Sequence, residues 1–199
     1  MSKTRIIVAA MSLSAAAFIG LATHEGYTDR AVIPTQGDVP TVGFGSTVHE
    51  DGSRVKMGDR TTPVNALVKA HAHISKEEQR FRASLPGASL TQAEYDLYMD
   101  FVYQYGSGAW STSSMRRHIL AGQHRQACDS LLRYRFAGGF DCSTPGNKRC
   151  MGVWTRQQAR HKACIAAVAA ISHVDDTHVV DIPAVDPFPW ASGTAGMGD

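Results

Sequence analysis

The feature that most constrains this chain is a run of seventeen residues without a charge, Ile6 to Ala22, near the N-terminus. Lys3 and Arg5 precede it, and a basic start followed by an apolar stretch is the layout of an export signal. At a helical rise of about 1.5 Å per residue the run would span roughly 25 Å, the lower limit for a bilayer core. More than half of its residues are Ala, Ser or Gly, which partition weakly into lipid. We therefore expect a marginal membrane segment.

Three interpretations of this run are open. Signal peptidase could cleave after Ala17 or Ala22, because each has a small residue two positions earlier. The run could instead stay attached as a weak anchor that is able to leave the membrane. A buried core helix of a cytosolic protein is the third interpretation, and the paired basic residues at the N-terminus favour export over it.

Four cysteines allow three pairings. Cys142 and Cys150 bracket a short polar turn, whereas Cys128 and Cys164 fall in two separate helical patterns that could pack together. In an oxidising compartment such pairs form and stabilise a fold by roughly 2–4 kcal/mol each, while a cytosolic protein would keep free thiols. We expect the disulfides Cys128–Cys164 and Cys142–Cys150.

Composition excludes wholesale disorder and a multi-span membrane protein, because 43% of the residues are hydrophobic and 19% are charged. The net charge of +2 is unevenly distributed. Residues 174–199 carry five aspartates and no Lys or Arg, so this tail has a charge of −5 and the remainder has +7. A body this basic is expected to approach polyanions such as anionic lipid, nucleic acid or an acidic wall polymer. Charge alone does not choose among them.

The residues after the apolar run are predicted to form a small sheet followed by helices. Residues 29–57 have strand character, with an Asp51-Gly52 hairpin turn. A long helix then opens with Thr62 as N-cap and Pro63 at its first position, and we expect it to connect two lobes. The fold class expected from these patterns is α+β, with a small β lobe and a larger helical lobe joined by the long helix.

The helical lobe is expected to begin with an aromatic helix that has Thr91 as N-cap and ends at Gly106. Its aromatic stripe is typical of a core. Shorter helices should follow, with a last one over residues 155–171. The Pro- and Gly-rich tail is expected to be disordered.

Residues 23–47 carry the candidate chemistry. Cleavage of a glycosidic bond needs a carboxylic acid that protonates the leaving oxygen and a second group across the sugar that activates water or attacks. Glu25 is the candidate acid. Thr41 lies on a predicted strand close to Gly43 and Gly45, which have no side chains and would let a polymer approach the backbone. Asp38 lies in the preceding turn and could help the Thr41 hydroxyl to hold a water.

The stretch "HEGYTDRA…GDVPTVGFGST" resembles the catalytic region of the phage-type lysozymes, glycoside hydrolase family 24. The stretches "LTQAEYDLYMDFVYQYGSGAW" and "GVWTRQQARHKAC" resemble the helical lobe and closing helix of that family, so the resemblance runs from His24 to about Val174. It implies a lysozyme-like fold in which Glu25 is the general acid and Thr41 orients the water. It also implies that Arg156 pairs with the catalytic glutamate, and that Gln104 and Tyr103 lie where the family lines its cleft. For Tyr103 a core position is an equally open interpretation.

The resemblance is imperfect at the second carboxylate. The usual spacing places an Asp where this chain has Pro34 or Thr35. We expect Asp38 to substitute, with Asp29 as the weaker candidate. The nine histidines show no metal-ligand spacing, and neither a metal nor a cofactor is expected.

The function expected is that of a phage endolysin, which hydrolyses the β-1,4 bond between N-acetylmuramic acid and N-acetylglucosamine in peptidoglycan. Residues 1–23 would be an export or signal-anchor-release segment, 24–174 the catalytic domain and 175–199 the tail. The chain would be a monomer that binds no nucleic acid, held inactive at the host inner membrane and then released to the periplasm. A lytic transglycosylase and a non-enzymatic cationic protein that disrupts walls or membranes are the alternatives.

Overall fold

A computed structural model describes residues 4–34 and 37–172 of the chain, with the backbone alone at residues 24, 25 and 172. The expected disordered tail, 175–199, lies outside the described residues. The helices are α1 (Ala15–Glu25), α2 (Pro63–Ala83), α3 (Gln92–Ser111), α4 (Ser114–Leu120), α5 (His124–Ser130) and α6 (Met151–Ser172). The strands are β1 (Ile6–Ile7), β2 (Thr28–Val32), β3 (Thr41–Gly43), β4 (Ser89–Leu90), β5 (Phe136–Ala137) and β6 (Phe140–Asp141).

The β lobe is built on an antiparallel hairpin of β2 and β3. Thr28 pairs with Gly43 and Val32 pairs with Thr41, with an irregularity between the two pairs. A second turn follows, where Gly52 donates its N–H to the His49 carbonyl at 3.0 Å. The lobe has a small core of its own, formed by Ala31, Val42 and Val55.

The long helix α2 connects the β lobe to the helical lobe. The Thr62 hydroxyl accepts a hydrogen bond from the Asn65 N–H at 3.2 Å, and Pro63 occupies the first turn, so the helix begins as expected. The fold class is confirmed as α+β, because the connector joins small antiparallel sheets to a larger helical lobe.

An aromatic core fills the helical lobe. The largest fully buried side chains include Tyr95, Tyr98 and Phe101 from α3, and they pack with Phe81 of α2 and Trp110. The expectation that the aromatic helix stops at Gly106 is confirmed, because Gly106 adopts the non-helical angles φ 82° and ψ 158°. A second helical stretch continues across this kink to Ser111, so α3 comprises two helices, and Trp110 of the second stretch packs against Phe81 in the core.

The N-terminal apolar run is folded into the helical lobe rather than forming one helix. β1 pairs antiparallel with β4, a 3-10 turn follows, and Ser14 then caps α1 by accepting a hydrogen bond from the Ala17 N–H. The side chains of Val8, Met11 and Leu21 are buried in the main core. Among the described residues, no helix is both long enough and apolar enough to cross a bilayer.

Polar contacts hold the same segment against the helical lobe. Arg5 forms an ion pair at 3.3 Å with Glu94, whose side chain is fully buried and also contacts His124 Nδ1 at 3.0 Å. The Leu13 N–H donates to Glu78 Oε1 at 2.6 Å. These bonds satisfy two carboxylates that lie in or beside the core, where an unpaired charge is costly.

Both expected disulfides are present. Cys128 of α5 bonds Cys164 of α6 within the main core, and Cys142 bonds Cys150 across the turn before α6. The first bond links two helices and the second closes a short loop, as their different positions in the sequence indicated.

Candidate active site

Glu25 is the last residue of α1, at the junction between the two lobes. Gly26 follows with φ 70°, a conformation that glycine tolerates best, and the chain then enters β2. The β2–β3 hairpin returns Gly43 to a position opposite Thr28, three residues after Glu25. The backbone therefore brings the end of α1 and strand β3 into one region. The side chain of Glu25 lies outside the described residues.

Thr41 begins β3 and is half-buried. Its hydroxyl donates to the Val32 carbonyl at 3.4 Å across the hairpin. Asp38 lies in the exposed loop before β3, and its carboxylate accepts a hydrogen bond from the Val39 N–H at 2.8 Å. Asp29, on β2, is also exposed and lies 3.9 Å from the Arg30 guanidinium. Both carboxylates are open to solvent, and only Asp38 shares the loop that leads directly into Thr41.

A cleft of about 610 Å³ opens between the β lobe and α2. One wall is the segment 44–50, which continues directly from β3, and the other is formed by residues of α2 between Val68 and Lys76. Tyr103 of α3 closes the side next to the helical lobe, with its ring 6.1 Å from the His73 ring in an edge-on arrangement. The cleft is large enough to hold part of a polymer, and both apolar and polar side chains line its walls.

The two glycines that follow Thr41, Gly43 at the end of β3 and Gly45 after it, have different environments. A Cβ on Gly43 would lie 2.9 Å from the Ala66 Cβ, so this position lets β3 pack closely on α2. Gly45 lines the cleft, together with Tyr103. Gln104 is exposed on α3, one residue further along. Of the expected substrate contacts, the cleft thus brings together Gly45 and Tyr103.

Arg156 of α6 donates to Asp100 Oδ1 at 2.5 Å, a partner that the sequence did not suggest. Arg160, almost fully buried, holds the other Asp100 oxygen and the Asp100 carbonyl. Burial lowers the pKa of Arg160, and the ion pair with Asp100 opposes this effect. The cluster fixes α6 against α3, which carries Tyr103.

Sequence reasoning missed the cationic wall of the cleft. Lys69, His73 and Lys76 all line it. Their spacing of four and then three residues places them on one face of a helix, and this was the signal available in the sequence. It could not indicate that the face lies opposite residues 44–50.

The fold and the cleft define a class of protein, the lysozyme-like α+β proteins, in which a β lobe and a helical lobe flank a cleft. The model of the phage lysozyme family matches residues 22–160, and the chain belongs to that family. The resemblance expected from the sequence is thereby confirmed.

Individual relatives agree with this assignment. A "SAR-endolysin" of Enterobacteria phage PA-2 is 35% identical over 65 residues, which are 33% of this chain and 34% of that protein. The chain therefore matches only about a third of the length of that relative. An "Endolysin" of Salmonella phage P22 is 26% identical over 64% of this chain and 86% of its own length. The crystal structure of a P22 lysozyme mutant has a TM-score of 0.64 at 22% identity, covering 78% of this chain and 99% of that one, which shows a shared fold.

Proposed function

We propose that this protein is a phage endolysin that hydrolyses the β-1,4 bond between N-acetylmuramic acid and N-acetylglucosamine in bacterial peptidoglycan. The observation that carries the proposal is the course of the chain at the cleft. It runs from Glu25 at the end of α1, through the hairpin that contains Thr41, into the wall formed by residues 44–50. Membership of the phage lysozyme family and the +7 charge outside the tail support the same substrate, because bacterial walls are anionic.

In this proposal Glu25 protonates the leaving oxygen, and Asp38 and Thr41 position the attacking water. Water delivered from the face opposite the acid inverts the configuration at the anomeric carbon. The exposed Asp38 carboxylate accepts a hydrogen bond from the Val39 N–H, and the half-buried Thr41 hydroxyl is held by the hairpin. Asp29 is the competing carboxylate.

The products test the reaction type. Incubation of purified peptidoglycan with the protein is expected to release fragments that end in reducing N-acetylmuramic acid, each carrying the mass of one added water. Mass spectrometry of the released fragments makes this measurement. Fragments ending in 1,6-anhydro sugars would show a lytic transglycosylase, and lysis without any glycan cleavage would show a non-enzymatic cationic protein.

The N-terminal segment, residues 1–23, is proposed to have two states: a weak anchor in the host inner membrane, and the folded segment packed on the helical lobe. The partial match to a relative named a SAR-endolysin and the weakly apolar run support the first state. We propose that the segment is released to the periplasm intact, without cleavage after Ala17 or Ala22. The contacts of Arg5, Val8 and Met11 with the helical lobe support this, because cleavage would remove them.

Leucine substitutions at Ala15, Ala16 and Gly20 are expected to hold the protein in the membrane and delay lysis. Ala15 and Ala16 are exposed, and a Cβ on Gly20 meets no atom within 4 Å, so the folded enzyme tolerates the changes while lipid partitioning rises. Membrane fractionation and culture turbidity measure the effect. The triple variant folded in the absence of membrane serves as control and should retain wild-type activity. Peptidoglycan degradation by the membrane-bound variant would contradict the proposal.

A further inference from the structure

One wall of the cleft is a row of basic side chains on α2. Lys69, His73 and Lys76 are spaced at i, i+4 and i+7, so they lie along one face of the helix, and all three line the cleft. The row is almost 11 Å long at a rise of about 1.5 Å per residue, comparable to two sugar units of an extended glycan. Of the described residues that line the cleft, Glu50 alone is acidic.

The three basic residues differ in how they are held. The Lys69 ammonium donates to the Val48 carbonyl at 2.8 Å and so ties α2 to the opposite wall. The His73 ring packs edge-on against Tyr103. Lys76, at the end of the row, is exposed. Its neighbour Glu77 is already occupied, since its carboxylate accepts hydrogen bonds from Arg80 and from the Ser107 hydroxyl.

A neutral sugar polymer provides no counter-charge for such a row. Peptidoglycan differs from neutral N-acetylglucosamine polymers by the peptides on alternate sugars, and these peptides carry free carboxylates. Lys76 is exposed, so an ion pair between its ammonium and such a carboxylate is partly screened by water and contributes a modest but measurable part of binding. The cationic wall therefore has the chemistry to recognise the peptide rather than the sugar.

We propose that the basic row of α2 recognises the peptide stems while the glycan lies in the cleft, and that Lys76 binds the stem carboxylates as a specificity-determining residue for peptidoglycan. This inference rests on the proposed hydrolysis of peptidoglycan. Lys69 sets the width of the cleft, His73 supports Tyr103, and Lys76 supplies the charge that contacts the peptide.

The test compares two preparations of the same cell wall, one native and one in which carbodiimide and ammonia have converted the peptide carboxylates to amides. The wild type is expected to hydrolyse native walls about three- to five-fold faster at low wall concentration, the effect of one partly screened ion pair. The variant Lys76→Gln should lose this preference for native walls. On amidated walls, its rate of hydrolysis should equal that of the wild type. With soluble wall fragments the change should appear in KM rather than in kcat.

The matched control is Lys162→Gln, which removes the same charge from the exposed face of α6, outside the cleft lining. It should keep the wild-type preference for native walls. Equal wild-type rates on the two walls, or an equal loss of preference in Lys162→Gln, would overturn the inference while leaving the hydrolase function intact. Failure of the wild type to release reducing ends from either wall would instead overturn the proposed function.

Discussion

Replacing Glu25 with glutamine is expected to slow the loss of peptidoglycan turbidity by about 10²–10⁴-fold, because the amide cannot donate a proton to the leaving oxygen. The substitution keeps the size and hydrogen-bonding shape of the side chain at the last residue of α1, so the melting temperature should stay near that of the wild type. Turbidity assays and thermal unfolding of the same preparations separate lost catalysis from lost folding. Lysis by Glu25→Gln at the wild-type rate would contradict the enzymatic proposal.

The same assay assigns the second carboxylate. Asp38→Asn should lower activity by about 10²-fold if Asp38 positions the water, since a neutral amide no longer accepts its proton. Asp29→Asn is the matched comparison, because both aspartates are exposed and each is on one side of the same hairpin. A large loss in Asp29→Asn with a small one in Asp38→Asn would transfer the role to Asp29.

Deletion of residues 1–14 is expected to abolish cooperative folding of the helical lobe. The deletion removes the buried side chains of Val8 and Met11, each of which contributes about 2–4 kcal/mol to a core. It also leaves Glu94 without Arg5 and Glu78 without the Leu13 N–H. These losses together approach the total stability of a typical domain, about 5–15 kcal/mol. Circular dichroism and calorimetry of the purified protein measure the transition, and a sharp wild-type-like melt would show that the segment is dispensable.

A single substitution isolates the ion pair from the packing. Arg5→Gln should lower the free energy of unfolding by about 2 kcal/mol, because Glu94 is fully buried while Arg5 is partly exposed. Arg30→Gln is the control, since the Arg30–Asp29 pair is exposed and its loss should cost almost nothing. If the two substitutions lower the free energy of unfolding equally, the Arg5–Glu94 pair contributes no more than an ordinary surface ion pair.

At acid pH the free energies of unfolding of Arg5→Gln and of the wild type should become more similar. Burial alone would raise the pKa of Glu94, but hydrogen bonds from His124, the Thr91 N–H and Arg5 outweigh it and lower the pKa from 4.5 to about 2. The unfolded chain therefore takes up this proton at a higher pH than the folded chain. The stabilisation is present above pH 4.5 and is lost as the pH falls toward 2. Urea unfolding at pH 7, 4 and 3 measures the difference in free energy of unfolding between the two proteins. A difference that stays constant with pH would contradict the stabilising role of the Arg5–Glu94 ion pair.

Much of the fold could be predicted because its signals are local. The Thr62 and Thr91 caps, the Asp51-Gly52 turn and the amphipathic spacing of α2 and α3 each depend on residues a few positions apart. The disulfide Cys142–Cys150 was predicted for the same reason, because the two cysteines bracket a short turn. The disulfide Cys128–Cys164 spans 36 residues, and its prediction depended on two helical patterns that could pack together. Family resemblance then supplied the candidate roles of Glu25 and Thr41, which spacing alone could not distinguish from those of ordinary boundary residues.

The sequence by itself determined the element types, the basic body and the presence of a weakly apolar run near the N-terminus. Tertiary structure alone decided where that run goes, because the contacts that fold it join Arg5 to Glu94 across 89 positions and Leu13 to Glu78 across 65. It also decided which face of α2 lines the cleft and that Arg156 bonds Asp100. Periodicity shows that a helix has two faces, but only packing of the β lobe against one of them makes Lys69, His73 and Lys76 the wall of a site.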